Sequence, residues 1–427
     1  MNRVPGRASL GRTASAWLIV LTGLLAAQAF TALAGIVLAR RVDAVDYGQY
    51  LASVSLAAIL VALVNLGMDQ WLLAYGTDSP TKLMRAFHGA LRIRLPLLAL
   101  WLVGVTLLGS LLPPDAFPQP YLLLAALAIG CDSVTLLSYS VLRNVDRHRA
   151  VTSFQGAAAF CLLIASLVLP LAPGEASRFL TARATISVTT AILSVIYVRK
   201  RISSLQPMTP EPAIATLRST LPFMWSELAV AVYMRADLSV LSLVKGPTAA
   251  SIYGPAISLL SMCFLVPGAL YLLVVPDLAH RYKQSSHRFR RLAVFQLFAQ
   301  ALSGVVLFAG VFAFAPWLIQ TVLGPDYAAS AGTLSLLSPI LLFKSLSFGL
   351  GAWLTASGKQ AVRTQIQIIV AVLNLCANLA VVTRFGINGV AMVYVISEAL
   401  LFVSYGIAVK KGHDRQARLK IYENTDC

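Results

Sequence analysis

The sequence predicts an all-α, polytopic membrane protein of about twelve transmembrane helices, built as two six-helix lobes. Three observations carry this. Of 427 residues, 58% are hydrophobic and only 12% charged, against about 45–50% and about 25% in a soluble domain. Twelve runs approach the roughly 20 apolar residues that span a bilayer. A Tyr-Gly pair opens both the second and the eighth run, at Tyr47-Gly48 and Tyr253-Gly254. Yet the chain is also strongly basic, with 34 Lys+Arg against 17 Asp+Glu and a net charge of +17. Disordered proteins, disulfide scaffolds and ordinary cytosolic enzymes do not combine these properties.

The first predicted helix is Trp17–Leu38. Arg3, Arg7 and Arg12 precede it, as in a secretory signal. Its apolar stretch exceeds the usual 7–15 residues of a signal core, so a retained helix is expected. The following runs are Tyr50–Leu73, Leu91–Leu112, Tyr121–Leu142, Val151–Leu171 and Phe179–Val198. The second half repeats the series as Leu221–Leu243, Ile252–Val275, Leu292–Phe314, Ala331–Leu354, Gln365–Val382 and Ile387–Val409. This gives lobes over 1–200 and 221–409, a cytoplasmic linker over 201–220 and a basic tail over 410–427. The tail reads as disordered and suited to anionic lipid on the cytoplasmic face.

Charge orients the chain. With the N-terminus inside, inner segments hold 26 Lys and Arg and outer loops five, leaving Arg183, Arg235 and Lys344 in helices. Such asymmetry is the positive-inside signature and places both termini in the cytoplasm. It also accounts for the basicity without a nucleic-acid partner. The longest connections, 199–220 and 315–330, are too short for a nucleotide-binding or extracytoplasmic catalytic domain, and no G-x-x-x-x-G-K-[ST] run occurs. Four cysteines lie in apolar runs and Cys427 is terminal; none has metal-ligand spacing, and no H-E-x-x-H occurs. No cofactor, metal or catalytic residue is expected. Six helices per repeat is an even number, so both halves enter from one side: a parallel repeat, with the pseudo-twofold along the membrane normal.

Several segments resemble one family. Leu38-Ala39-Arg40-Arg41-Val42-Asp43 through Asp46-Tyr47-Gly48-Gln49-Tyr50 is similar to the first loop of polysaccharide exporters of the multidrug/oligosaccharidyl-lipid/polysaccharide superfamily. Asn65-Leu66-Gly67-Met68-Asp69 resembles the end of their second helix. Arg235-Ala236-Asp237 with Gly246, Ala249, Tyr253 and Ala256 resembles their seventh helix and the loop after it. Gly324-Pro325-Asp326-Tyr327-Ala328-Ala329, Gly358-Lys359, Asn374, Asn378, Arg384-Phe385-Gly386 and Gly389 fit the remainder. The resemblance implies an O-antigen-type flippase of the bacterial inner membrane. Such a protein moves undecaprenyl-diphosphate-linked oligosaccharide outward by ATP-independent alternating access around a central V-shaped cavity. It works beside the polysaccharide assembly machinery. Some relatives have fourteen helices; twelve are found here.

Ionisable residues at membrane depth are the candidate site, since each costs about 2.5–3.5 kcal/mol at a helix centre unless it is paired or faces water. On the seventh helix, Arg235 and Asp237 lie about 160° apart, so they need separate partners. Arg235 is the candidate diphosphate contact and Asp237 a candidate site for a coupling proton or sodium; the alternative for both is interhelical salt bridging. Lys344 suits a diphosphate or sugar acid, or else pairs with Glu398 or Glu227. Glu227 and Asp132 are further cation-coupling candidates. Gln28 is a cavity-lining candidate or interhelical glue. Arg40 and Arg41, at the outer mouth, either guide the exiting anion or pair with Asp43 and Asp46. Asn65 with Asp69, and Asn374 with Asn378, are each four apart on one helical face and read mainly as packing polar groups. Pro96, Pro267 and Pro339 are predicted kinks. A multidrug or metabolite exporter is the nearest alternative, with a more acidic cavity expected for cationic drugs. A membrane-embedded polymerase or ligase is disfavoured by the short outer loops.

Overall fold

The computed structural model describes residues 7–74, 80–172, 174–202, 213–284 and 286–425. Among them every regular element is helical: α1 Arg7–Arg41, α2 Ala44–Asn65, α3 Met68–Ala74, α4 Pro80–Leu111, α5 Gln119–Asn144, α6 His148–Val168, α7 Ala176–Ile202 and α8 Ala213–Lys245. There follow α9 Pro247–Cys263, α10 Leu265–Gln284, α11 Ser286–Val322, a 3₁₀ turn Pro325–Tyr327, α12 Ser330–Leu337, α13 Pro339–Ala356 and α14 Gln360–Thr425. Among the described residues, ten helical stretches are long and apolar enough to cross a membrane. One is α14, which Gly386 divides; α8, charged in its middle, is not among the ten. Counting α8 once and α14 twice restores twelve crossings. Leu100, Leu107, Phe295, Phe298, Phe312 and Trp317 are exposed. Aliphatic and aromatic groups in such number on helices of this length are stable only against lipid.

The chain forms two compact units, Met1–Ala231 and Val232–Cys427. Their boundary falls inside α8, not in the expected 201–220 linker, of which 203–212 lie outside the described residues. The reason is local. α2 ends at Leu66, in the left-handed region (φ 49°), and Gly67 follows at φ 67°. A Cβ on Gly67 would collide with the backbone of Phe223 and Met224. Glycine thus lets the first part of α8 press against the α2–α3 junction, which holds it in unit 1.

Several expected spans are longer or broken. The second helix, expected unbroken over Tyr50–Leu73, splits at Leu66-Gly67. Asn65 and Asp69 therefore do not share a helical face. The third begins at Pro80 and runs through Pro96. The eighth breaks at Phe264, just before Pro267, and the tenth breaks where Pro339 begins α13. Proline lacks the N–H that would continue the ladder. Helix α11 reaches Val322, so the outer connection is shorter than 315–330. The tail, expected to be disordered, continues α14 to Thr425. The sharpest reversal is at Gly386 (φ 53°, ψ −135°), where an L residue would be strained.

Helix starts follow familiar chemistry. The Asp43 carboxylate accepts from the Asp46 N–H at 2.8 Å and caps α2. Gly246-Pro247 opens α9 with proline in its first turn. In unit 1, Asp46 accepts from the Tyr121 hydroxyl and from the Ala176 N–H (3.0 Å), tying together the starts of α2, α5 and α7.

The repeat is visible in bonding as well as in sequence. In unit 1, Arg94 of α4 donates to the Asn65 carbonyl at the α2–α3 break (2.9 Å). In unit 2, Gln300 of α11 donates to the Pro267 carbonyl just past the α9–α10 break (2.9 Å). Arg94 and Gln300 are 206 positions apart, the same offset as Tyr47 and Tyr253. In each unit a fully buried side chain of one helix donates to a backbone carbonyl at or just past the break in its neighbour.

Candidate functional site

Unit 2 holds a buried polar chain. Asp237 on α8 is 6% exposed. One carboxylate oxygen accepts from Asn378 Nδ2 at 2.6 Å, the other from the Tyr253 hydroxyl at 2.9 Å. Asn378 also donates to Asn374 Oδ1 (3.1 Å), and Asn374 donates to Ser397 Oγ (3.1 Å). Three helices, α8, α9 and α14, thus converge on one carboxylate through neutral donors. Such donors hold a carboxylate in place without supplying a countercharge.

Lys344 of α13 lies in the same unit. Its Nζ is 2.5 Å from Glu398 Oε1, and both residues are shielded from solvent. The ammonium lies over the rings of Phe264 (5.0 Å), Tyr233 (5.4 Å) and Tyr394 (5.8 Å). Of the two acids considered for it, Glu398 is the partner. An aromatic cage and a carboxylate in hydrogen-bond contact stabilise a buried cation well. They also leave it little capacity for a second anion.

Arg235 is exposed on α8 while Asp237 is buried. That agrees with their angular separation. On α1, Gln28, Arg40 and Arg41 are exposed. Arg41 donates to the Leu169 carbonyl at 3.1 Å. Of the acids considered as partners of Arg40 and Arg41, Asp43 caps α2 and Asp46 accepts from Tyr121 and Ala176.

In unit 1 the candidate acids fall in two polar groups. In the first, Arg94 is fully buried. Its Nη1 reaches Asp69 Oδ1 (2.8 Å) and the Ser133 carbonyl (2.7 Å), and its Nη2 the Asn65 carbonyl. Asn65 Nδ2 donates to Glu227 Oε1 of α8 at 2.5 Å. In the second, Arg183 of α7 donates to the Tyr50 hydroxyl (3.2 Å) and stands 4.0 Å from Asp132 of α5. Glu227 and Asp132, both cation-coupling candidates, thus sit in different clusters.

Sequence reasoning missed Arg94, counting it among the 26 inner bases although α4 buries it. The signal was its place inside the predicted third run, three residues past Leu91. It read Asn374 and Asn378 as packing glue, and Asn378 donates across to Asp237 of α8.

Deep charged groups on the ten or more long apolar helices of the described residues define a polytopic protein with the fold of membrane transporters. The structure is similar to "Lipid II flippase MurJ, inward closed conformation" at a TM-score of 0.72 and 14% identity, covering 92% of this chain and 87% of that one. It is also similar to an inward-facing multidrug resistance MATE family transporter of the MOP superfamily (TM-score 0.66, 12% identity, 92% and 94% covered). A third likeness is to the MATE multidrug transporter DinF-BH in complex with R6G (TM-score 0.65, 14% identity, 93% and 94% covered). At such identities the likeness is one of fold. No curated protein matches the sequence. Residues 14–268 match the family model for polysaccharide biosynthesis protein, and the chain belongs to that family.

Proposed function

We propose that this protein is a flippase. It carries undecaprenyl-diphosphate-linked oligosaccharide from the inner to the outer leaflet of the bacterial inner membrane, by alternating access without ATP. The observation that carries the reading is Arg235: an exposed guanidinium well inside a membrane-length helix. A cation there is stable facing a water-filled path, where a diphosphate is its natural partner. Family membership in polysaccharide biosynthesis supplies the oligosaccharide.

In this reading Arg235 contacts the diphosphate. Lys344, already balanced by Glu398, contributes positive field and holds α13 to α14. Asp237, framed by Asn378 and Tyr253, takes up the coupling proton or sodium, with Glu227 and Asp132 as secondary acids. Gln28 lines the path, and Arg40 and Arg41 guide the leaving anion at its outer mouth. Both termini are cytoplasmic, the polysaccharide assembly machinery shares the membrane, and no covalent chemistry is performed. One observation favours an exporter of cations instead: the half-exposed side chain of Asp132.

Deletion followed by lipid analysis tests the proposal. Carrier-linked repeat units should accumulate on the inner leaflet, and the protein re-expressed should clear them. Units that still reach the outer face in the deletion strain would refute it.

A further inference from the structure

We infer that Arg183 and Tyr50 form a diphosphate-binding site in unit 1, with Asp132 as a built-in counter-ion that the ligand displaces. The ligand class rests on the flippase reading; the geometry does not.

Three deep basic side chains can be compared. Arg94 is fully buried and engaged by three oxygens. Lys344 is enclosed by Glu398 and three rings. Arg183 differs. Its Nη1 donates to the Tyr50 hydroxyl at 3.2 Å, but its Nη2 stands 4.0 Å from Asp132 Oδ2. That separation is an ion pair and not a hydrogen bond. A guanidinium has five N–H donors in a planar fork suited to two oxygens of one phosphate. Here Nη2 stands beyond hydrogen-bond reach of the carboxylate, and among the described residues only Nη1 is engaged, by Tyr50.

The pair is also partly exposed. The Asp132 side chain is 45% exposed and that of Arg183 23%. Asp132 lies in the middle of the 26-residue α5. An ion pair so exposed at that depth is far costlier against lipid than against water, so the two line a hydrated path. Tyr50 is fixed by stacking on Tyr47 (centroids 5.9 Å apart) and by an edge contact with Phe179 (5.8 Å). Its oxygen accepts from Arg183 while its O–H proton remains available to a phosphate oxygen. A diphosphate would thus meet an oriented fork and a hydroxyl donor, at the cost of separating Arg183 from Asp132. That cost keeps the site from holding its ligand too tightly to release it.

The test uses the full chain in detergent, titrated with inorganic pyrophosphate and separately with farnesyl diphosphate, with farnesol as control. Asp132→Asn removes the internal competitor and should tighten binding by up to about five-fold. A misfolded variant does not gain affinity. Arg183→Gln should weaken binding by about ten-fold or more, and Arg183→Lys should fall between, because a point charge replaces the fork. Binding of both diphosphates supports a site for the anion alone; binding of farnesyl diphosphate only supports a site completed by the lipid. The inference is overturned if wild type binds neither, or if Arg183→Gln and Asp132→Asn bind as wild type does. Flipping is measured separately in proteoliposomes. Intact Arg183-dependent binding with no flipping would overturn the flippase reading and leave the site standing. Flipping with no such binding would do the reverse.

Discussion

Arg94→Met should be among the most destabilising single substitutions in unit 1. The wild-type guanidinium is fully buried, makes three hydrogen bonds and balances Asp69, whose side chain is 12% exposed. Methionine matches much of the stem volume but removes all three donors. Breaking one partner of a buried ion pair costs about 3–5 kcal/mol. The Asn65 and Ser133 carbonyls lose donors too, each orphan costing about 1–3 kcal/mol, with overlap between the terms. A net loss of about 4 kcal/mol is expected. Adding Asp69→Asn to Arg94→Met removes the uncompensated carboxylate and should recover about 2 kcal/mol. Reversible unfolding in mixed detergent–SDS micelles, followed by the fluorescence of the six tryptophans, reads both values. A loss below about 1 kcal/mol, or no recovery in the double variant, would refute the view that this pair closes the α2–α3 break.

Other consequences concern the junction and the polar chain of unit 2. Gly67→Ala meets the backbone of α8 as well as an unfavourable φ and should cost about 2 kcal/mol or more, while Gly104→Ala, with open space around its Cβ, should be neutral or slightly stabilising by the same unfolding measurement. Asp237→Asn keeps a side chain of similar size but abolishes the charge; polysaccharide export in a complementation assay should be lost while the protein level is unchanged, and wild-type export would remove Asp237 from the coupling role. Lys344→Ala leaves Glu398 buried and alone and should reduce folded protein in the membrane, whereas Lys344→Met with Glu398→Gln should restore much of it. If the double variant is no better than the single, the pair is not the source of the defect.

The fold was readable because apolar runs of membrane length need no tertiary knowledge. The internal repeat was also visible, through Tyr47 and Tyr253. Breaks were harder. Pro339 announced one, and Pro267 lies just past another. The break at Leu66-Gly67 was hidden, because one glycine in an apolar run is compatible with a continuous helix. That single break decides where Asn65 and Asp69 point, and it let Arg94 pass as a surface charge. In the site, the residue types at depth were evident but their pairing was not. Lys344 had two candidate acids, and only the fold brings Glu398 to it. The link from Asp237 to Asn378 joins positions 141 apart, which no periodicity reveals.

The central claim is that this chain moves a diphosphate-linked oligosaccharide across a bilayer without ATP. Its most direct measurement is reconstitution of purified protein into liposomes holding a fluorescent undecaprenyl-diphosphate oligosaccharide in both leaflets, with outer-leaflet label destroyed by a membrane-impermeant reagent. Wild type should make nearly all of the label accessible in the absence of nucleotide, and Arg235→Ala should leave about half protected, as protein-free vesicles do. Protection unchanged by wild type, or equal movement by Arg235→Ala, would contradict the account.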